Sequence, residues 1–350
     1  MKKIVIYKLK IVGIALLVLG IYSCSKEDIN LSDLNETIFV RHKNADMPAY
    51  IYGNGSEKVF LIILHGGPGG HGLQYRSRSF RDEIEKNNAV VYFDQRGSGN
   101  SQGNYSEDEI SIDIMAEDVL ALAKVIKARY GKDSKLFLMG HSWGGTLGPA
   151  ALIKDQGEFT AWIDVDGAHD PKGFYNKYKV VLKEMADTQI VLGNSIDYWQ
   201  NVNDIVQNIG ANYSTDDFFK LNRAALAGEE KLAEDNFIIN GETDFEGNPQ
   251  LNFITVKWNS NGMTNILGYK KGLWRDVSYT NRLSKITIPS LVLFGKHDIV
   301  VPAEYAQEAF DNLGSSDKEI FIFENSAHSP MSSEPDLFAI KVIEFINRLK

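Results

Sequence analysis

The chain has 350 residues, 43% of them hydrophobic, enough to bury a large core; it suits one large α/β domain carrying an insertion, or two smaller domains. Its 37 basic residues against 46 acidic ones give a net charge of −9, and nucleic acid is excluded as a partner because phosphate contacts need clustered Lys and Arg. Whole-chain disorder is excluded by the same apolar content.

The N-terminus stands apart. Lys2, Lys3, Lys8 and Lys10 precede an apolar run over residues 11–22 that ends in Ser23-Cys24. A basic region, a short apolar stretch and a small-residue site form the pattern of a secretory signal over residues 1–23, too short to cross a bilayer comfortably. The stretch Ile21-Tyr22-Ser23-Cys24 resembles a bacterial lipobox, with Tyr22 bulkier than the residue usual there. Cys24 is the only cysteine, so an intrachain disulfide is impossible, and its place at the end of the apolar run points to lipidation. Residues 24–36 then read as a polar tether between an exported, membrane-anchored N-terminus and the folded body. Without the four signal lysines the chain keeps 33 basic residues against 46 acidic, a net charge of −13.

Residues 38–40 and 49–52 read as a strand pair joined by a polar turn over residues 42–46. Residues 59–64, VFLIIL, form a continuous apolar run, as in a strand buried on both faces. They lead into His65-Gly66-Gly67-Pro68-Gly69-Gly70, where small and turn-forming residues leave backbone N–H groups bare for an anion. A further strand over 89–93 ends in DQRGSGNS at 94–101, within which Arg96 suits ordering of loops through carboxylates or carbonyls. Apolar residues recur at helical spacing over 111–130.

Residues 135–149, KLFLMGHSWGGTLGP, read as a buried strand, a tight turn and a helix. Gly140-His141-Ser142-Trp143-Gly144 fits G-x-S-x-G, in which a serine on a strained turn is so crowded that only glycine fits on either side. A strand over 161–165 ends at Asp166. From 168 to 284 the alternation stops; the stretch is aromatic and acidic and reads as a mainly helical insertion. Between Glu184 and Glu246 thirteen acids face only Lys220, Arg223 and Lys231. Regular alternation resumes with a strand over 288–294 and then Asp298, a helix over 303–313, a strand over 319–323 followed by His328, and a last helix over 337–349. The core is thus expected over 37–167 and 285–350, the cap over 168–284.

Strands alternating with helices imply a mostly parallel sheet covered on both faces, with ligands beyond the carboxyl ends of its strands. The turn at 65–70, Ser142, Asp298 and His328 all follow predicted strands. A serine needs an imidazole to take its proton and a carboxylate to fix that imidazole's tautomer, and Ser142, His328 and Asp298 supply these roles in chain order Ser, Asp, His. The backbone N–H groups of Gly67 and Trp143 would receive the oxyanion. Alternatives stay open at several positions. Asp166 is a rival acid, Asp298 has the option of capping the helix at Ala303, and His65 and His141 suit bracing of loops better than proton transfer.

HGGPGG at 65–70, DQRGSGNS at 94–101 and GHSWGG at 140–145, in this order, resemble the proline iminopeptidase family of α/β-hydrolases over residues 60–350. The resemblance implies a serine aminopeptidase that removes an N-terminal residue, proline or another small apolar one, from short peptides, with a helical cap whose carboxylates recognise the free amino group. No metal or cofactor is implied. The chain departs from the family where a Trp-rich cap segment usually ends in Glu: here Asp197-Tyr198-Trp199 is followed by Gln200. Two alternatives accompany the aminopeptidase expectation: a carboxylesterase or other hydrolase of small esters or amides, and a non-catalytic surface binding protein on the same fold.

Overall fold

A computed structural model describes residues 29–241 and 252–350. The expected signal over 1–23 and the lipidation site at Cys24 lie outside the described residues. Among the described residues no helix is long and apolar enough to cross a membrane.

Nine strands make one sheet: β1 (Leu34–His42), β2 (Ala45–Gly53), β3 (Val59–Leu64), β4 (Ala89–Phe93), β5 (Gln102–Gly103), β6 (Lys135–His141), β7 (Ala161–Val165), β8 (Ser290–Gly295) and β9 (Lys318–Phe323). Their order is β1-β2-β4-β3-β6-β7-β8-β9, with the two-residue β5 pairing to β2. From β4 to β9 every pairing is parallel, while β1 and β2 add an antiparallel edge. The central strands β3, β4 and β7 are buried at every residue, which is why they read as unbroken apolar runs.

Side-chain parity along the strands sends alternate residues to opposite faces, and helices cover both. On one face, Leu61, Ile63, Tyr92 and Met139 join Phe338, Val342 and Phe345 of the C-terminal helix Pro335–Leu349 in one core. On the other, Phe60 packs on Tyr130 at the end of α1 (Ile112–Tyr130), with ring centroids 4.8 Å apart, and α2 (Gly144–Lys154) packs beside α1. Each such side chain, once fully buried, contributes about 1.5–3 kcal/mol relative to exposure. Ser111 starts α1, its hydroxyl accepting from the Ile114 N–H at 3.3 Å.

Two boundaries differ from the sequence reading. The polar turn is only Lys43-Asn44, both at positive φ (42° and 59°), so the hairpin is tighter and its strands longer than 38–40 and 49–52. The first strand starts at Leu34, so 34–36 belong to the sheet and not to the tether read over 24–36; Leu34 is buried, and Glu36 is held by Arg129 and by Tyr130 Oη at 2.6 Å.

Between β7 and β8 the described chain carries no strand. It forms α3 (Phe174–Leu192), α4 (Ile196–Asn208), α5 (Thr215–Glu234) and α6 (Phe253–Met263), with shorter turns to 285, as an insertion between those two strands. Its interior is aromatic: Phe218 stacks on Trp274 at 4.7 Å, and Trp199 is fully buried. Entry and exit of this insertion lie side by side, joined by the bonds Tyr279 N–H to His169 O (2.8 Å) and Lys172 N–H to Val277 O (2.9 Å).

Candidate active site

Ser142 sits between β6 and α2 with φ of 55°, a left-handed conformation that costs a serine strain. The flanking glycines explain how it is tolerated. A Cβ at Gly140 would fall 2.4 Å from the Gly144 carbonyl oxygen, and one at Gly144 would fall 2.3 Å from that of Leu64. Both obstacles are backbone, so neither position admits a larger residue without moving a strand.

Ser142, Gly67, Trp143 and His328 line one cavity of about 250 Å³. His328 Nδ1 lies 2.8 Å from Asp298 Oδ2, and the Asp298 residue is 2% exposed. A carboxylate only accepts, so Nδ1 carries the hydrogen and Nε2 is left as the basic nitrogen. Asp298 Oδ1 accepts the N–H groups of Val300 and Val301, each at 2.8 Å. The acid therefore fixes the turn that leads to α7 (Glu304–Asn312) as well as holding the imidazole, but it does not cap that helix, whose N-terminus at Ala303 takes no side-chain bond. Asp166, the rival, does not reach His328 Nδ1 in this way. Its Oδ1 accepts the Gly295 N–H at 2.8 Å, and its carboxyl, pushed well above the ordinary range by burial and by the neighbouring Asp298, sits beside the triad acid. The N–H groups of Gly67 and Trp143 donate to no other group among the described residues, so both are available to an anion in the cavity.

The glycine-rich loop, the 94–101 loop and the serine turn interlock. Gln95 donates through Nε2 to the His65 carbonyl (3.0 Å) and accepts the Trp143 indole N–H (2.8 Å). The Gln95 N–H points to His65 Nε2, so His65 donates through Nδ1 to the Gly66 carbonyl at 2.8 Å. His141 makes a second chain: its Nε2–H reaches the His328 carbonyl at 2.7 Å, leaving Nδ1 to accept from Tyr75 Oη at 2.6 Å, which in turn accepts the Gly66 N–H at 2.8 Å. Burial lowers both histidines to about 3, so they are neutral bracing groups and not proton carriers. Arg96 is fully buried and bonds Asp118 and the carbonyls of His42 and Lys43, ordering the hairpin at a distance from the cavity.

The cavity walls are Phe174, Tyr178, Leu226, Trp274, Val300 and Val301, with Gln74 and Asn222 as polar spots. Among the described residues no aspartate or glutamate lines it. The described acids between 184 and 235 are mostly exposed, Gln200 is exposed, and Trp199 packs inside the cap beside Gly228. Sequence reasoning did not find Glu229, the exception, which reaches from α5 to the His328 N–H at 3.0 Å. The signal for it was present: residues 225, 229 and 232 fall on one helix face, and Ala225 and Leu232 are buried.

A mostly parallel sheet of this strand order, with a serine on a left-handed turn after a central strand and a carboxylate–imidazole pair after two later ones, defines an α/β-hydrolase. Solved structures agree on the fold. The proline iminopeptidase-related protein of Thermus thermophilus matches 90% of this chain and 98% of its own with a TM-score of 0.59 at 21% identity. An esterase of Exiguobacterium antarcticum matches 90% of this chain and all of its own with a TM-score of 0.57 at 16% identity. Within this class the chain belongs to the serine aminopeptidase S33 family, whose model matches residues 55–208 and 276–336 and leaves out part of the cap. A probable aminopeptidase of Bacillus subtilis is 26% identical over 85% of this chain and 91% of its own length. A proline iminopeptidase of Saccharolobus solfataricus is 27% identical over 83% and 85%. The chain is accordingly a hydrolase of the proline iminopeptidase-like kind.

Proposed function

We propose that the chain is a serine aminopeptidase that releases an N-terminal residue from short peptides or amino-acid amides through an acyl-enzyme. Ser142 Oγ attacks the carbonyl carbon while His328 Nε2 takes its proton; the C–O bond forms, and the carbonyl oxygen becomes an anion received by the Gly67 and Trp143 N–H groups. His328 then gives the proton to the leaving nitrogen as the C–N bond breaks, and water repeats the sequence on the acyl-serine. Asp298 keeps the imidazole in the required tautomer and favours its charged form. The observation that carries this reading is the 2.8 Å His328–Asp298 pair opening onto the same cavity as the strained Ser142.

A second reading, an esterase or amidase for small uncharged acyl groups, is favoured by the cavity wall. A desolvated ammonium needs a nearby anion, and none of the described wall residues supplies one. A panel of aminoacyl arylamides and short acyl esters separates the two. The aminopeptidase predicts kcat/KM at least about tenfold higher for an aminoacyl arylamide than for its N-acetylated form, a difference of about 1.4 kcal/mol. Preference for the blocked or ester substrates assigns the chain to the second reading.

We also infer from the sequence that residues 1–23 direct export and that Cys24 carries a lipid anchoring the body to a membrane. The full-length chain is then expected in the detergent phase on phase partitioning and its Cys24→Ser form in the aqueous phase. Equal partitioning of the two removes the anchor.

A further inference from the structure

Glu229 lies on the face of α5 that also presents Asn222 and Leu226 to the cavity, but it passes the cavity wall and ends among the loops that carry the triad. Its carboxyl accepts the His328 backbone N–H at 3.0 Å and lies beside Ile299 and Asp298. One side chain of the cap thus grips the loop after β9 and rests against the loop after β8.

Asp298 accepts from His328 Nδ1 on Oδ2 and from two backbone N–H groups on Oδ1, so its lone pairs are engaged within the two loops. Glu229 approaches from the cap side, and burial, followed by the charge of Asp298, pushes its carboxyl well above the usual carboxylate range.

We propose that Glu229 is a positioning residue for the triad: a carboxyl carried by the cap that accepts the His328 N–H beside Asp298, so that the imidazole is aligned only while α5 is seated. It does not line the cavity and needs no contact with substrate. The cap then has two roles, walling the cavity and holding the proton-transfer machinery in register from behind.

The inference rests on the reading of Ser142 as nucleophile, and a fluorophosphonate keeps the two separable because it reports the reactivity of Ser142 without a cap-bound substrate. Labelling of the wild-type chain at Ser142 tests that reading; the variants test this one. Glu229→Gln keeps an oxygen to accept the His328 N–H and the same volume, and is expected within about threefold of wild type in both kcat and labelling rate. Glu229→Ala removes the bond to His328. It is expected to lower kcat and the labelling rate together by about 30- to 100-fold, the scale of a catalytic group displaced by an ångström, with KM changed less than about threefold. If Glu229→Ala does not fold, Glu229→Met, which keeps the volume without the hydrogen bond, supplies the same reading. Wild-type labelling of the Ala or Met variant overturns the proposal, as does a Gln variant as slow as Ala. A rise in KM at unchanged kcat also overturns it, since that would make Glu229 a substrate-binding group.

Discussion

Ser142→Ala is expected to lower kcat by about four to six orders of magnitude while leaving the unfolding midpoint within a few degrees of wild type. Two features of the site set this expectation. In the proposed mechanism the hydroxyl forms the acyl bond, so its loss leaves only the Gly67 and Trp143 N–H groups and the cavity wall to stabilise the transition state. Residual turnover is then attack by water. The fold is spared because the turn is held by the close approach of Gly140 and Gly144 to neighbouring backbone, which alanine at 142 does not alter. A serine in the left-handed region is strained, and alanine there is no better, so no large gain in stability is expected either. Turnover in purified Ser142→Ala equal to wild type would remove the mechanism. Failure of a fluorophosphonate to label the wild-type chain would favour a binding protein on a hydrolase fold.

The second large effect is at the acid. Asp298→Asn is expected to lower kcat by about 10³- to 10⁴-fold with little change in KM, because a carboxamide can present its N–H₂ to His328 Nδ1 and turn the imidazole so that Nε2 carries the hydrogen. The nitrogen facing Ser142 would then be a donor and unable to take the serine proton. Asp166 is the obvious substitute, since its carboxyl, that of Asp298 and a ring nitrogen of His328 lie within 4.8 Å of one another. The structure argues against rescue: Asp166 is bonded to the Gly295 N–H, and burial disfavours the charged form of its carboxyl, the form the imidazolium requires. Kinetics of Asp298→Asn beside the Asp166→Asn/Asp298→Asn pair check this. If the single variant retains more than about a tenth of wild-type turnover and the double variant does not, Asp166 serves as the acid.

What the sequence disclosed of this molecule follows from how each feature is encoded. The strands at 59–64, 89–93 and 161–165 are legible to the residue because burial on both faces excludes polar side chains along their whole length. The edge hairpin is under-read, since its polar positions resemble loop and its turn depends on positive φ at Lys43 and Asn44, which composition signals weakly. Ser142, with its two glycines, is legible because the steric demand is local in sequence. Asp298 and His328 are legible only through their order and their place after strands. The acids at 166 and 229 show the limit: a carboxyl that matters for the backbone N–H it accepts has the same letter as one on a solvated helix. Glu229 lies amid thirteen acids, and the pairing that distinguishes it spans about a hundred residues to His328.

The paired bonds between 169 and 279 and between 172 and 277 bear on how such a protein diversifies. Because the cap leaves and rejoins the sheet through adjacent stretches of backbone, its helices behave as a cassette inserted at a closed neck, and lengthening or trimming them imposes no strain on the strands below. Evolutionary drift in the cassette can therefore retarget the enzyme while the reaction chemistry stays fixed, with one constraint: any replacement must still deliver a hydrogen-bond acceptor to the backbone N–H of residue 328.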